Sequence, residues 1–169
     1  TLEKKWLRDA MRARLAQNDH DLLAARELQL GMVPADFVAP DGTVAIHLLL
    51  EPSRHIGGDL CDYFVGRGGV LWFAIGDVSG KGTAAALLMS SLHAAIHAHT
   101  DIHNSLAKTI GAVNRYLVES IPANRFVTLF YAELVPKSGA LAFLNAGPNP
   151  PPLLPSGCTM GQLASGGPP

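Results

Sequence analysis

The first 33 residues show the hydrophobic spacing of one long amphipathic helix. Residues 1–30 contain neither glycine nor proline, and at about 1.5 Å per residue such a helix would extend roughly 45 Å. Alternating steps of four and three residues connect a heptad seam: Met11, Leu15, Asn18, Leu22, Ala25, Gln29 and Met32. This seam would either pair with its copy in a dimer, with Asn18 fixing the register, or pack on the chain's own domain. Gly31 and Pro34 predict the end of the helix.

The middle of the chain alternates between strand and helix patterns. Apolar runs predict two strands, at 43–50 and 70–78, and three- and four-residue spacings then predict helices at 83–99 and 106–118. Two further strands follow, at 126–134 and 140–145, joined by a turn that contains Pro136 and Gly139. The order strand, strand, helix, helix, strand, strand, with an antiparallel hairpin at its end, favours a layered α+β fold over a doubly wound parallel sheet.

Composition narrows the class of protein. Of the 169 residues, 48% are hydrophobic and 16% charged, which suits a folded domain. Basic residues number 13 and acidic residues 14, so the basic excess of a general nucleic-acid binder is missing. Two cysteines, Cys61 and Cys158, predict no disulfide framework. We find no apolar run of membrane-spanning length and no signal-peptide core, so we expect a cytoplasmic protein that does not enter a membrane.

Two glycine-flanked aspartates are the strongest candidates for chemistry. Asp59 follows the pair Gly57 and Gly58, and Asp77 lies at the end of an apolar strand, before a glycine-rich turn. Carboxylates at strand ends suit a hard divalent cation, and two of them on adjacent strands could share a pair of metal ions. The alternative is that each aspartate merely ends a strand and caps a turn, a position where Asp and Gly are common for local reasons.

Two other sequence patterns are weaker candidates for a functional site. Segment 76–82 (GDVSGKG) lacks the spacing of a phosphate-binding loop. Four histidines fall near the end of the first predicted central helix: His93, His97, His99 and His103. The first two have metal-compatible spacing, but the nearby sequence offers only Asp101 as a carboxylate. Since histidines at a helix C-terminus interact favourably with the helix dipole, we expect that role rather than a metal site.

Six stretches of the chain occur in an order that is typical of one protein family. They are 27–34 (ELQLGMVP), 56–64 (IGGDLCDYF), 76–89 (GDVSGKGTAAALLM), 114–115 (NR), 125–131 (RFVTLFY) and 145–151 (NAGPNPP). In this order they resemble the SpoIIE/RsbU-type branch of the metal-dependent protein serine/threonine phosphatases, the PPM class. The resemblance covers nearly all of residues 24–155.

The resemblance implies an αββα sandwich with a Mn²⁺ or Mg²⁺ centre between its two sheets. Metal-activated water would attack a phosphoserine or phosphothreonine. By motif, Asp59 and Asp77 are the catalytic and metal-ligand positions, and the backbone carbonyl of Val78 is a further ligand. Gly57, Gly58, Gly80 and Gly82 would shape the backbone. Asp62 would either support the centre or cap a turn.

The resemblance also implies partners and a division of the chain. The substrate would be a phosphorylated protein, in this branch an anti-sigma-factor antagonist. Residues 1–33 would be a helical linker, with coiled-coil character, that forms a homodimer or contacts a regulatory domain. Residues 34–169 would be the phosphatase domain, truncated at its C-terminus.

Two departures from the family pattern bear on activity. Pro148 stands where the family has histidine, which affects the local loop. The family also carries two acidic metal ligands near its C-terminus, whereas the last aspartate here is Asp101. Two carboxylates are few for two divalent cations. The rival interpretation is therefore a non-catalytic, phosphatase-like module that binds a partner protein.

Overall fold

A four-stranded antiparallel sheet forms the centre of the computed structural model, which describes residues 2–52, 55–147, 149–154 and 161–163. Pro148 and Cys158 lie outside these residues. In chain order the elements are α1 (Leu2–Leu30), β1 (Phe37–Val38), β2 (Ala45–Ile46), β3 (Asp59–Val65), a 3₁₀ turn (Arg67–Gly69), β4 (Leu71–Val78), α2 (Thr83–His103), α3 (Leu106–Ser120), β5 (Val127–Val135), β6 (Ala140–Ala146), β7 (Pro152–Leu153) and β8 (Gly161–Gln162). No described helix is both long and apolar enough to cross a bilayer.

The predicted α+β class is confirmed. The main sheet has the order β3-β4-β5-β6, every neighbouring pair is antiparallel, and α2 and α3 pack on it. Strands β5 and β6 lie within one residue of their predicted bounds at each end. The long N-terminal helix is present as α1, and α2 continues four residues further than predicted, to His103.

The prediction of a strand at 43–50 is wrong in its extent. Only Ala45–Ile46 is extended, and it pairs with the short β1. The neighbour of β4 is instead β3, which pairs with it along its whole length, from Asp59 opposite Asp77 to Val65 opposite Leu71. The apolar run at 48–50 resembled a buried strand, but Leu49 is 80% exposed because this segment has no place in the main sheet.

The core lies between the main sheet and the two central helices. Its large side chains include Trp72 and Tyr131, whose rings stack with centroids 5.5 Å apart. The Tyr131 hydroxyl and Thr100 Oγ1 share a hydrogen bond of 2.5 Å, and burial raises the pKa of Tyr131. Because the hydroxyl is paired inside the core, β5 is joined to α2 by a satisfied polar contact as well as by apolar packing.

The two ends of α1 lie in different surroundings. Near its C-terminal end, Gln29 is buried, and Met32 just beyond the helix packs against the core. The Gln29 amide donates to the Gly57 carbonyl at 2.7 Å and accepts from the Gly57 N–H at 3.0 Å. Met11 and Leu15, by contrast, are 66% and 56% exposed. The last turns of the seam therefore pack on the chain's own domain, and pairing of the first turns with a second copy stays a prediction.

Replacing Gln29 by alanine should loosen α1 from the glycine pair. The substitution leaves both backbone groups of Gly57 without their partners, so we expect the free energy of unfolding to fall by about 1–3 kcal/mol. Urea unfolding followed by circular dichroism would measure it. Gln17→Ala is the matched control, because the Gln17 amide donates to the Asp21 carboxylate on the exposed surface of α1. Equal stability of the two variants would contradict the role assigned to Gln29.

Candidate functional site

Asp59 and Asp77 meet at one end of the main sheet. Asp59 opens β3, Asp77 is the penultimate residue of β4, and the two are direct partners in the antiparallel register. Opposed residues of such a pair project from the same face, with Cβ atoms about 4.5–5.5 Å apart. Both aspartates were expected at strand ends. Asp59 instead begins its strand, and antiparallel pairing brings that beginning beside the end of β4.

The electrostatics of this acidic pair favour a cation. Partial burial raises the pKa of Asp59, and the negative charge of Asp77 raises it further. Among the described residues, no salt bridge joins either carboxylate to a basic side chain. Two like charges held opposite each other repel, and a cation bound between them would remove that repulsion.

The chemistry of the donor set fits a hard divalent metal. Carboxylate and backbone carbonyl oxygens are the ligands that Mg²⁺ and Mn²⁺ prefer. The candidate carbonyl ligand is that of Val78. The backbone of Gly58 lies close to it, because a Cβ at Gly58 would be only 2.6 Å from the Val78 carbonyl oxygen. The Val78 N–H donates to the Gly58 carbonyl at 3.1 Å, which fixes the two segments together. The remaining ligands of a complete coordination shell would come from water or from other groups.

The turn after β4 depends on glycine and on Arg125. Gly80 has φ +108°, and a side chain there would overlap the Arg125 guanidinium. Arg125 Nη1 donates to the Ser79 carbonyl at 2.6 Å, and Ser79 Oγ accepts from the Phe126 N–H at 2.9 Å. Gly82, with φ +70°, precedes the first turn of α2. The arginine occurs in one of the family-like stretches, 125–131, but its spacing from Ser79 along the chain gave no sign of this contact.

Asp62 lies on the other face of β3 from Asp59. Successive side chains of a strand alternate between its faces, so residues three apart point in opposite directions. The Asp62 carboxylate is buried beneath the sheet, where its Oδ2 lies 2.6 Å from His97 Nε2 and 3.4 Å from His93 Nε2. Asp62 was expected to support the metal centre or cap a turn, and its carboxylate contacts the histidines of α2 instead of facing Asp59 and Asp77.

The histidines of α2 also differ from expectation. Asp101, the nearby carboxylate in sequence, is exposed and lies 3.8 Å from Arg67. The carboxylate that meets His93 and His97 comes from Asp62, more than 30 positions earlier in the chain. The signal for this contact is the alternation of residues along 59–65. As a strand packed against α2, this segment turns Asp62 toward the helix.

The chain is similar to a known protein family and to a characterised relative. Residues 67–169 match the family described as Stage II sporulation protein E (SpoIIE), a match that includes Asp77 and begins after Asp59. Phosphoserine phosphatase RsbU of Bacillus subtilis (strain 168) is 30% identical over 120 residues, which are 70% of this chain and 33% of that protein. The chain thus spans about one third of this relative's length.

A solved structure is similar as well. The crystal structure of the RsbU and RsbW domains of Rv1364c from Mycobacterium tuberculosis matches with a TM-score of 0.53 and 29% sequence identity. The match covers 60% of this chain and 28% of that one.

Gly58→Ala should destabilise the site, whereas Gly57→Ala should be tolerated sterically. A Cβ at Gly58 would meet the Val78 carbonyl at 2.6 Å, while at Gly57 the nearest atom is 3.8 Å away. We expect Gly58→Ala to lower the free energy of unfolding by about 1–3 kcal/mol, as overpacking typically does. Thermal unfolding of both variants measures the difference. Similar melting temperatures for the two would refute the close approach of Gly58 to Val78.

Proposed function

The chain belongs to the SpoIIE family, and from this premise we propose that it is the catalytic portion of a metal-dependent phosphoprotein phosphatase. The substrate class is a protein carrying phosphoserine or phosphothreonine. The observation that carries the proposal is the acidic pair, Asp59 opposite Asp77, at one end of the main sheet. The name of the relative RsbU, a phosphoserine phosphatase, supports the same reaction class.

In this proposal Asp59, Asp77 and the Val78 carbonyl hold Mn²⁺ or Mg²⁺. The bound metal would supply an activated water and charge stabilisation on the phosphoryl oxygens. The chain's own residues keep the ligands in place. Gly58 holds β3 against the Val78 peptide, and Arg125 holds the turn at Ser79 and Gly80. Prearranged ligands are favourable because little reorganisation is then needed during the reaction.

The proposed substrate is a phosphorylated anti-sigma-factor antagonist in the bacterial cytoplasm. Supporting this, one relative is named RsbU, and the similar structure contains an RsbW domain together with an RsbU domain. We place the boundary of the phosphatase domain at residues 34–169, with residues 1–33 as a linker that forms a homodimer or contacts a regulatory domain.

The position of α1 supports a regulatory role for that linker. Gln29 bonds to Gly57, two residues before Asp59. A cavity of about 710 Å³ also lies where α1 faces the start of α2, bounded by Leu22 and Arg26 on one side and by Gly82 and Thr83 on the other. The helix therefore borders the segment that precedes Asp59 and the segment that follows Asp77.

A second candidate function is a phosphatase-like module that binds a partner without turnover. The observation that favours it is the small number of carboxylates. At this end of the described sheet the strands pair two of them, Asp59 and Asp77, which are few for two divalent cations. The two functions differ in turnover, so one assay separates them.

Asp77→Asn should reduce metal-dependent hydrolysis by about 100-fold or more, because it removes a ligand charge where phosphoryl charge is stabilised. The measurement is hydrolysis of p-nitrophenyl phosphate with and without Mn²⁺, in this chain and in the full-length gene product. Asp101→Asn is the matched control, since Asp101 is an exposed aspartate of α2. Unchanged activity of Asp77→Asn would refute the metal assignment. Absence of turnover in both wild-type forms would favour the binding module.

Leu15→Glu should disrupt a dimer formed through the heptad seam. Leu15 lies on the seam and is exposed, so a charge there costs little in a monomer and much in a paired helix. The expected result is a fall to monomer mass in light scattering. Leu7→Glu is the control, because Leu7 is exposed on α1 but lies off the seam. Equal masses for both variants and the wild-type chain would contradict helix-mediated pairing.

A further inference from the structure

Three metal-binding groups converge beneath β3, on the face opposite the acidic pair. They are the carboxylate of Asp62 and the imidazoles of His93 and His97, here called the Asp–His cluster. Their ligand atoms all lie within 4.8 Å of one another. Both Nε2 atoms approach the same carboxylate oxygen, at 2.6 Å from His97 and 3.4 Å from His93.

Two regular elements hold the cluster in place. Asp62 is in the middle of β3, where the ladder to β4 fixes its direction. His93 and His97 are four residues apart on α2, so both project from one face of a rigid helix. The Phe64 ring, on the same face of β3 as Asp62, lies 4.1 Å from the His97 ring. Binding groups on such elements need little ordering when an ion arrives.

The charge balance of the cluster favours a cation. The Asp62 side chain is only 3% exposed, and its described partners are these two histidines. A buried carboxylate is costly unless it is hydrogen-bonded and paired with a cation or coordinates a metal ion. A dication bound between the three groups would supply that positive charge.

We propose that the Asp–His cluster is a binding site for a borderline transition-metal ion, with Zn²⁺ as the best match. Ligands 2.0–2.1 Å from a tetrahedral zinc are separated by about 3.3 Å, close to the observed spacing of His93 and Asp62. The His97 contact would have to widen by less than about 1 Å. The ion would join β3 to α2.

A cavity lies beside His97, one of the three groups of the cluster. It has a volume of about 430 Å³ and is also bounded by Phe64, Arg67 and Asp101. The His97 side chain is 39% exposed, so an ion could reach this ligand from solvent. Three protein ligands with an accessible fourth position are the arrangement in which zinc retains a water molecule.

Ligand type separates this site from the proposed Mn²⁺ or Mg²⁺ centre. Imidazole nitrogens suit zinc, copper, iron and nickel, whereas carboxylate and carbonyl oxygens suit magnesium and manganese. Asp59 and Asp62 also lie on opposite faces of β3, so one ion cannot serve both positions. The inference therefore does not depend on phosphatase activity.

The test begins with the Asp59→Asn/Asp77→Asn chain, which lacks the acidic pair. We expect Co²⁺ to bind it in a 1:1 ratio with the visible absorption of nitrogen- and oxygen-ligated cobalt, and Zn²⁺ to displace the cobalt. Adding His93→Gln/His97→Gln should weaken binding by at least about 100-fold, because loss of even an outer partner of a metal ligand can cost 10–100-fold. Circular dichroism would verify that each variant is folded.

The matched control is His99→Gln/His103→Gln in the same background. These histidines have the same four-residue spacing on the same helix, and their rings stack at 5.8 Å, but the described cluster does not include them. They should leave cobalt binding unchanged. Loss of binding in the control alone would overturn the assignment, as would cobalt binding that survives His93→Gln/His97→Gln. If the starting chain shows no cobalt spectrum, Asp62 and His97 form an ordinary hydrogen bond and the proposal fails, whatever the folding of the histidine variants.

Discussion

The antiparallel register between β3 and β4 is the constraint on which both candidate sites depend. It places Asp59 opposite Asp77, and by alternation it turns Asp62 toward α2. A slip of one residue would send every side chain of β3 to the other face, separating the acidic pair and the Asp–His cluster in one step. The strand is thus a shared support for two sets of ligands that have different chemistry.

Several backbone contacts keep this register in place. Gly58 lies against the Val78 peptide, Gly57 is held by the Gln29 amide, and the turn at Gly80 is covered by Arg125. At Gly58 and Gly80 the missing side chain lets a neighbouring group approach closely. The acidic pair is accordingly built from residues distant in sequence that converge at one end of the sheet.

Much of the fold could be predicted from local patterns. The α+β class, α2, α3 and the β5–β6 hairpin follow from periodicity, and the ordered motifs indicated the SpoIIE family and the acidic pair. The pattern misassigned 43–50, because an apolar run does not reveal whether a sheet edge is available to it. It also missed Asp62 with His97 and Arg125 with Ser79, because these contacts depend on which elements pack together and in what register.

The bond between Gln29 and Gly57 gives α1 a fixed angular phase. Each residue of an α-helix turns the chain by about 100°, so inserting one residue between Leu15 and Gln29 would rotate the exposed first turns by that angle relative to the sheet. Inserting seven residues would nearly restore the phase, leaving an offset of about 20°. Lengthening or fusing this helix is therefore a question of angle as well as of reach, and only changes close to whole heptads keep the exposed seam aligned with the contact at Gly57.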